Sequence, residues 1–184
     1  MQKGEFVNLK KVISYLSCVM VMGFQLSALG ADTSNNQGTG ESQFLENMIQ
    51  HHKDGVKMAK MALEKGQSKE VKRVSQKIIK VQNNEISQLQ SWKRKWYPEE
   101  KMNGDMAKMS MSKMDTSKME SMTGKAFDKS FLQLMVEHHE GAVAMAEGAS
   151  SDLKHKDVKK FAEMTIKNQN AEILKMKKME SAIH

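Results

Sequence analysis

From Phe44 onward the chain alternates apolar and polar residues with the period of an α-helix. Phe44, Leu45, Met48, His52, Val56, Ala59 and Leu63 fall on one face. "KGQS" interrupts the pattern, with Gly66 as a C-terminal stop and Ser68 as an N-cap. A second stripe follows at Val71, Val74, Ile78, Gln82, Ile86 and Leu89, ending near Tyr97-Pro98. The same sequence of stripe, break and stripe returns from about Phe127 to Ala149 and from about His155 to Ile183. Four amphipathic helices, each with one apolar face, bury those faces most simply as a four-helix bundle. The pattern therefore predicts an all-α chain made of two helical hairpins.

The hairpins are copies of one another. "FLENMIQHHKDGVKMA" (Phe44–Ala59) aligns without a gap to "FLQLMVEHHEGAVAMA" (Phe131–Ala146), at an offset of 131 − 44 = 87 residues. That offset also matches "KEVKRV" at Lys69 to "KDVKKF" at Lys156, and "VQNNEI" to "NQNAEI". Identity in register over both helices marks a duplication.

The polar residues carried on these faces are the candidate chemistry. At 100° per residue His52 lies about 40° to one side of Met48 and His51 about 60° to the other, with Met58 near His51. On the partner helix Gln82 sits within the stripe and Glu85 at its edge. The second copy supplies Met135, His138, His139, Met145, Gln169 and Glu172 in the same relation. Buried polar groups must be paired or liganding something. Two readings stand: a structural network in which each Glu accepts from a His across its hairpin, or a metal site of His and Met with Gln and Glu in support. The Glu-x-x-His pattern of carboxylate-bridged di-iron bundles is missing, which argues against an oxygen-activating centre. No nucleophile–base pair or triad is present, so the sequence is not read as an enzyme.

"MIQHHKDGVKMA" and "MVEHHEGAVAMA", each followed by Gln-x-x-Glu-Ile, resemble the motifs of the bacterial domain-of-unknown-function family 305. The resemblance runs from about Phe44 to Met179. It implies a ferritin-like four-helix bundle, export and copper association, since the family includes CopM-type periplasmic copper-binding proteins. It places Met48, His51, His52, Met58, Gln82 and Glu85, with Met135, His138, His139, Met145, Gln169 and Glu172, on signature positions. The first copy departs at "KDG", where Gly55 is expected to loosen a helical turn.

Between the hairpins lies a different kind of segment. Met102, Met106, Met109, Met111, Met114, Met119 and Met122 recur among Lys, Ser, Asp, Gly and Thr from about Pro98 to Gly124. Methionine ordinarily fills cores, and this polar stretch has none to fill. A thioether is neutral and soft, and favours Cu(I) or Ag(I) over harder ions. The alternatives are an extension of the second helix through Met102, Met106 and Met109, or a reversible oxidant sink. Met176, Met179 and His184 form a further, weaker candidate, for which helix packing is the simpler use of the methionines. His155, in a turn, is expected to be exposed.

The N-terminus carries Lys3, Lys10 and Lys11 before an apolar run from Val12 to about Leu29, with Ala28 and Gly30 placed for cleavage. This is the layout of a signal peptide; an uncleaved anchor is the alternative. Cys18, the one cysteine of the chain, lies in that segment, so neither a disulfide nor a thiolate ligand is expected after cleavage. The formal charge of +7 falls to 26 basic minus 21 acidic residues, or +5, once residues 1–30 are removed. On an exported protein this reads as a solvated lysine-rich surface rather than a nucleic-acid interface.

The organisation expected is therefore a signal peptide at 1–30, a spacer at 31–41, hairpins at 42–97 and 125–184 in one bundle, and a Met-rich linker at 98–124. The function expected is sequestration or delivery of Cu(I), with Ag(I) or Cu(II) possible, in the periplasm or cell exterior, supporting copper tolerance. The expected partners are the ion and a copper exporter or another envelope copper protein, with no membrane span after cleavage. The competing class is a structural or interaction bundle without a metal role.

Overall fold

A computed structural model describes residues 40–100 and 116–183. Helix α1 spans Gly40–Lys65 and α2 spans Lys69–Trp96. A single turn, α3 (Ser117–Glu120), precedes α4 (Gly124–Gly148) and α5 (Lys156–Ser181). The starts of α2 and α5 are 156 − 69 = 87 residues apart, so the duplication is structural as well as sequential. The hairpins pair α1 with α2 and α4 with α5, and α1 against α4 forms the seam between them.

The first hairpin turns where expected. Gly66 N–H donates to the Ala62 carbonyl at 3.1 Å, and a β-carbon at Gly66 would lie 2.5 Å from that same oxygen. The Ser68 hydroxyl then accepts from the N–H groups of Glu70 and Val71 and caps α2.

Each turn is also held by the other hairpin. Asp128 of α4 accepts from Gln67 and Ser68 N–H at 3.0 and 2.7 Å. Its equivalent, Glu41 of α1 (128 − 41 = 87), accepts from the N–H groups of Lys154 and His155 at the start of α5. Tyr97 O–H adds a third bond to Glu41 at 2.8 Å. Both carboxylates are buried, and a buried carboxylate is tolerated where N–H groups and a helix N-terminus face it. This reciprocal clasp ties the hairpins together at both ends of the bundle.

The clasp corrects two expectations. Gly40 and Glu41, read as the end of a spacer, belong to α1. His155, read as an exposed turn residue, is the N-cap of α5: its ring bonds Glu41 and stacks on Trp96 at 3.7 Å. The linker's far end differs too. Met119 is fully buried among Phe127, Phe131 and Met135, and Met122 is half-buried beside them, because α3 folds back onto α4. Gly124, with φ 65°, makes the turn between the two. Met176 is fully buried and Met179 packs against the same cluster, so both serve helix packing. Met102, Met106, Met109, Met111 and Met114, the leader and His184 lie outside the described residues.

The core has two apolar clusters. One gathers Phe44, Leu45, Met48 and Ile49 of α1 with Leu89, Ala142, Ala146, Val158 and Phe161. The other gathers Met58, Ala59 and Ala62 of α1 with Val71, Val74, Ile78, Phe127, Phe131, Leu132, Met135, Ile173 and Met176. On every long helix the residues between these sets are polar: His51 and His52, Gln82, His138 and His139, Thr165 and Gln169, all buried. A polar layer thus crosses the middle of the bundle.

Candidate metal centre

Adjacent residues on a helix point about 100° apart, so a His-His pair addresses two neighbours at once. His51 faces the seam, where its ring stacks on that of His138 at 3.7 Å and 29°. His138 Nε2–H donates to the His51 carbonyl at 2.8 Å. His52 and His139 face their own hairpins instead. His139 Nε2 donates to Glu172 Oε2 at 3.0 Å. His52 Nε2 lies 2.9 Å from Glu85 Oε2, within ion-pair distance but off the line of a hydrogen bond.

Close approach at the seam depends on small residues. A β-carbon at Gly55 would fall 2.6 Å from His138 Cε1 and 2.4 Å from Gln82 Oε1, and one at Gly141 3.2 Å from His51 Nε2. Helix α1 runs unbroken through Gly55. The glycine expected to loosen a turn instead makes room for an imidazole and an amide.

Burial, together with the neighbouring imidazoles, pushes His51 down to about 2. Burial likewise brings His138 to about 3, against the opposing pull of its bond to the His51 carbonyl. Both rings are neutral at physiological pH. With His138 Nε2 committed as donor, its Nδ1 carries a lone pair. The Nδ1 atoms of His51, His52, His138 and His139 are all buried without a hydrogen-bond partner, as are the Oε1 atoms of Gln82 and Gln169. Leaving a buried acceptor unpaired costs about 1–3 kcal/mol, so six such atoms in one layer call for partners beyond the protein's own side chains, an ion or ordered water. An imidazole whose Nε2–H is held by a carbonyl or carboxylate while Nδ1 stays free is oriented as metal-binding histidines are.

Among the described residues no three of His, Cys, Asp or Glu converge as a ready-made cage. The expected thioethers are divided: Met48 lies in one apolar cluster, Met58 and Met135 in the other, and Met145 is half-buried beside the first. Glu85 and Glu172 stand at the edge of the layer, on a cleft of about 300 Å³ between α2 and α5 that Gln82 and Gln169 also line. The bond from His139, with a further one from Lys77 at 2.8 Å, holds Glu172 down at about 2 despite its partial burial.

Gly141, the Glu41–Asp128 clasp and Lys77 were not singled out in the sequence, and Gly55 was singled out for a different effect. The signal for the clasp was present: an acid recurs at the repeat offset, a few residues before each conspicuous Phe-Leu.

The DUF305 family model (domain of unknown function) matches residues 41–180. The chain belongs to this family. Its fold is shared with CopM in the Cu(II)-bound form, at 29% identity over 78% of this chain and 97% of that one, with a TM-score of 0.68. CopM in the Cu(I)-bound form gives 30% identity, 79% and 97% coverage and a TM-score of 0.66. A presumed secreted DUF305 protein from Streptomyces coelicolor gives 27% identity, 75% and 88% coverage and a TM-score of 0.67. No curated protein matches the chain. The similar structures are of CopM, with and without bound metal, and of DUF305 proteins. Among the described residues no helix is long and apolar enough to cross a membrane.

Proposed function

We propose that this DUF305 protein is an exported copper-binding bundle that captures Cu(I), with Ag(I) and Cu(II) as further ions it accepts, and so supports copper tolerance. The observation that carries this reading is the buried layer of imidazoles whose Nδ1 atoms have no partner. Those residues fit a soft or borderline ion. His51 and His138 are held neutral, so binding there displaces no proton. Thioethers lie one or two turns away along the same helices. The forms in which CopM has been solved, with Cu(II), Cu(I) and silver, support the same class of ion. Capture would begin at the methionines of the linker, and the His layer would hold the ion for transfer to an exporter or another envelope copper protein.

The second reading, a purely structural network, draws support from the pairing of each Glu with a His inside its own hairpin. An anaerobic Cu(I) titration against a chromophoric Cu(I) chelator separates the two. It compares the chain lacking residues 1–30 with a His51→Asn/His138→Asn variant and with one carrying leucine at Met102, Met106, Met109, Met111 and Met114. Weaker competition in the histidine variant supports the buried layer, and weaker competition in the leucine variant assigns capture to the linker. A wild-type chain that leaves the chelator fully loaded, and whose thermal stability Cu(I) does not raise, sinks the copper reading.

A further inference from the structure

The repeat offset pairs Lys77 of α2 with Met164 of α5 (164 − 77 = 87). In the second hairpin both oxygens of Glu172 are taken, Oε2 by His139 Nε2 and Oε1 by the Lys77 ammonium. At the corresponding place beside Glu85 stands a thioether. Met164 is 43% exposed, one of few large apolar side chains left in water among the described residues. With Glu85, Trp92 and Phe161 it lines an open cleft of about 500 Å³. Asp157 and Lys160 at the rim cancel in charge, so Glu85 leaves the cleft with a net negative charge.

Behind Glu85 lies His52, wholly buried, with neither Nδ1 nor Nε2 hydrogen-bonded. Glu85 Oε2 is 2.9 Å from that ring, while a quarter of the Glu85 side chain meets solvent. The three groups therefore lead from open cleft to buried imidazole. We propose that Met164, Glu85 and His52 form an exchange site for a soft monovalent cation, Cu(I) or Ag(I), through which ions enter and leave the first hairpin. This rests on the copper reading above. Glu85 supplies attraction, the Met164 sulfur supplies a neutral soft ligand that protons do not contest, and His52 offers an unpartnered nitrogen. A lysine at position 164 would bring a competing positive charge to the carboxylate, as Lys77 does to Glu172. The second hairpin is in that sense closed.

The test uses the full chain labelled with 13C at its methionine methyls and titrated with Ag(I), beside anaerobic Cu(I) competition. The Met164 methyl resonance, identified by its loss in Met164→Leu, is expected to shift within the first equivalents of Ag(I). Met164→Leu should weaken the first Cu(I) by about tenfold, and Glu85→Gln by roughly 10–100-fold, the span seen when a ligand's supporting group is lost. Met164→Lys should abolish that ion, whereas Lys77→Met should add one. Position 164 is exposed, so these changes leave folding intact. A Met164 resonance that stays fixed while other methionines shift would overturn the exchange site and spare the copper reading. Absence of any Ag(I) or Cu(I) binding by the wild type would overturn both.

Discussion

The two hairpins share a scaffold to within a single offset, yet they treat equivalent carboxylates differently. Glu172 is bonded at both oxygens, by His139 and Lys77. Glu85 meets His52 off the hydrogen-bond line, with Met164 where the lysine would be. Elsewhere the copies replace like with like. The Glu46–Lys93 ion pair at 2.7 Å in the first becomes the Gln133–Glu180 hydrogen bond at 2.7 Å in the second. The Glu41 clasp is matched by Asp128. Duplication preserved the clasp and the His-His, Gln and Glu residues of the central layer, and let the residue beside each carboxylate diverge, Lys77 at Glu172 and Met164 at Glu85.

Acid should break the symmetric part first. In His51 and His138 the folded-state value lies below the usual 6.5, so the unfolded chain binds protons that the folded chain refuses. Their contribution is intact above about pH 6.5 and is lost as pH falls towards about 3. The loss approaches about 2.7 kcal/mol per pH unit for two protons. Denaturant titrations of the metal-free protein between pH 7 and 4.5 should show that slope, and His51→Asn/His138→Asn should flatten it. Equal slopes would mean the rings protonate in place.

The clasp gives the next largest effect, and an asymmetric one. Glu41→Ala strands two backbone donors and also removes the bonds from the Tyr97 hydroxyl and the His155 ring, and should cost about 3 kcal/mol, against about 2 kcal/mol for Asp128→Ala, which strands two donors. Urea midpoints measure both; a reversed order would show that the two ends are not held alike. At the seam, Gly55→Ala presses a methyl onto the His138 ring, which its stack and its hydrogen bond hold in place. A net loss of about 1–2 kcal/mol is expected after the helical gain of alanine is counted. The equivalent position already carries Ala142, and Ala142→Gly should cost only about 1 kcal/mol. Smallest of all, Lys77→Met removes a solvent-exposed ion pair and should change stability by less than about 1 kcal/mol. A larger drop in melting temperature would make Lys77 a structural residue rather than the group that closes the second hairpin.

Much of this molecule follows from local chemistry. The period of apolar residues determined four helices, the Gly66–Ser68 break determined where the first hairpin turns, and the 87-residue offset determined that the halves are copies. The His-His pairs and their Glu partners were legible as well, because helical spacing alone carries His52 to one edge of the stripe and Glu85 to the facing edge of the next helix. Tertiary structure decided what depends on approach between segments far apart in the chain. Only the packing of α1 on α4 stacks His51 on His138 and gives Gly55 a steric purpose. Only the fold-back of α3 turns Met119 into core, and only the joining of two hairpins converts Glu41 and His155 from a spacer end and a turn into a clasp. A side chain's angle about its own helix is set by its sequence position. Whether its polar atoms find a partner is set by what the neighbouring helices bring against it.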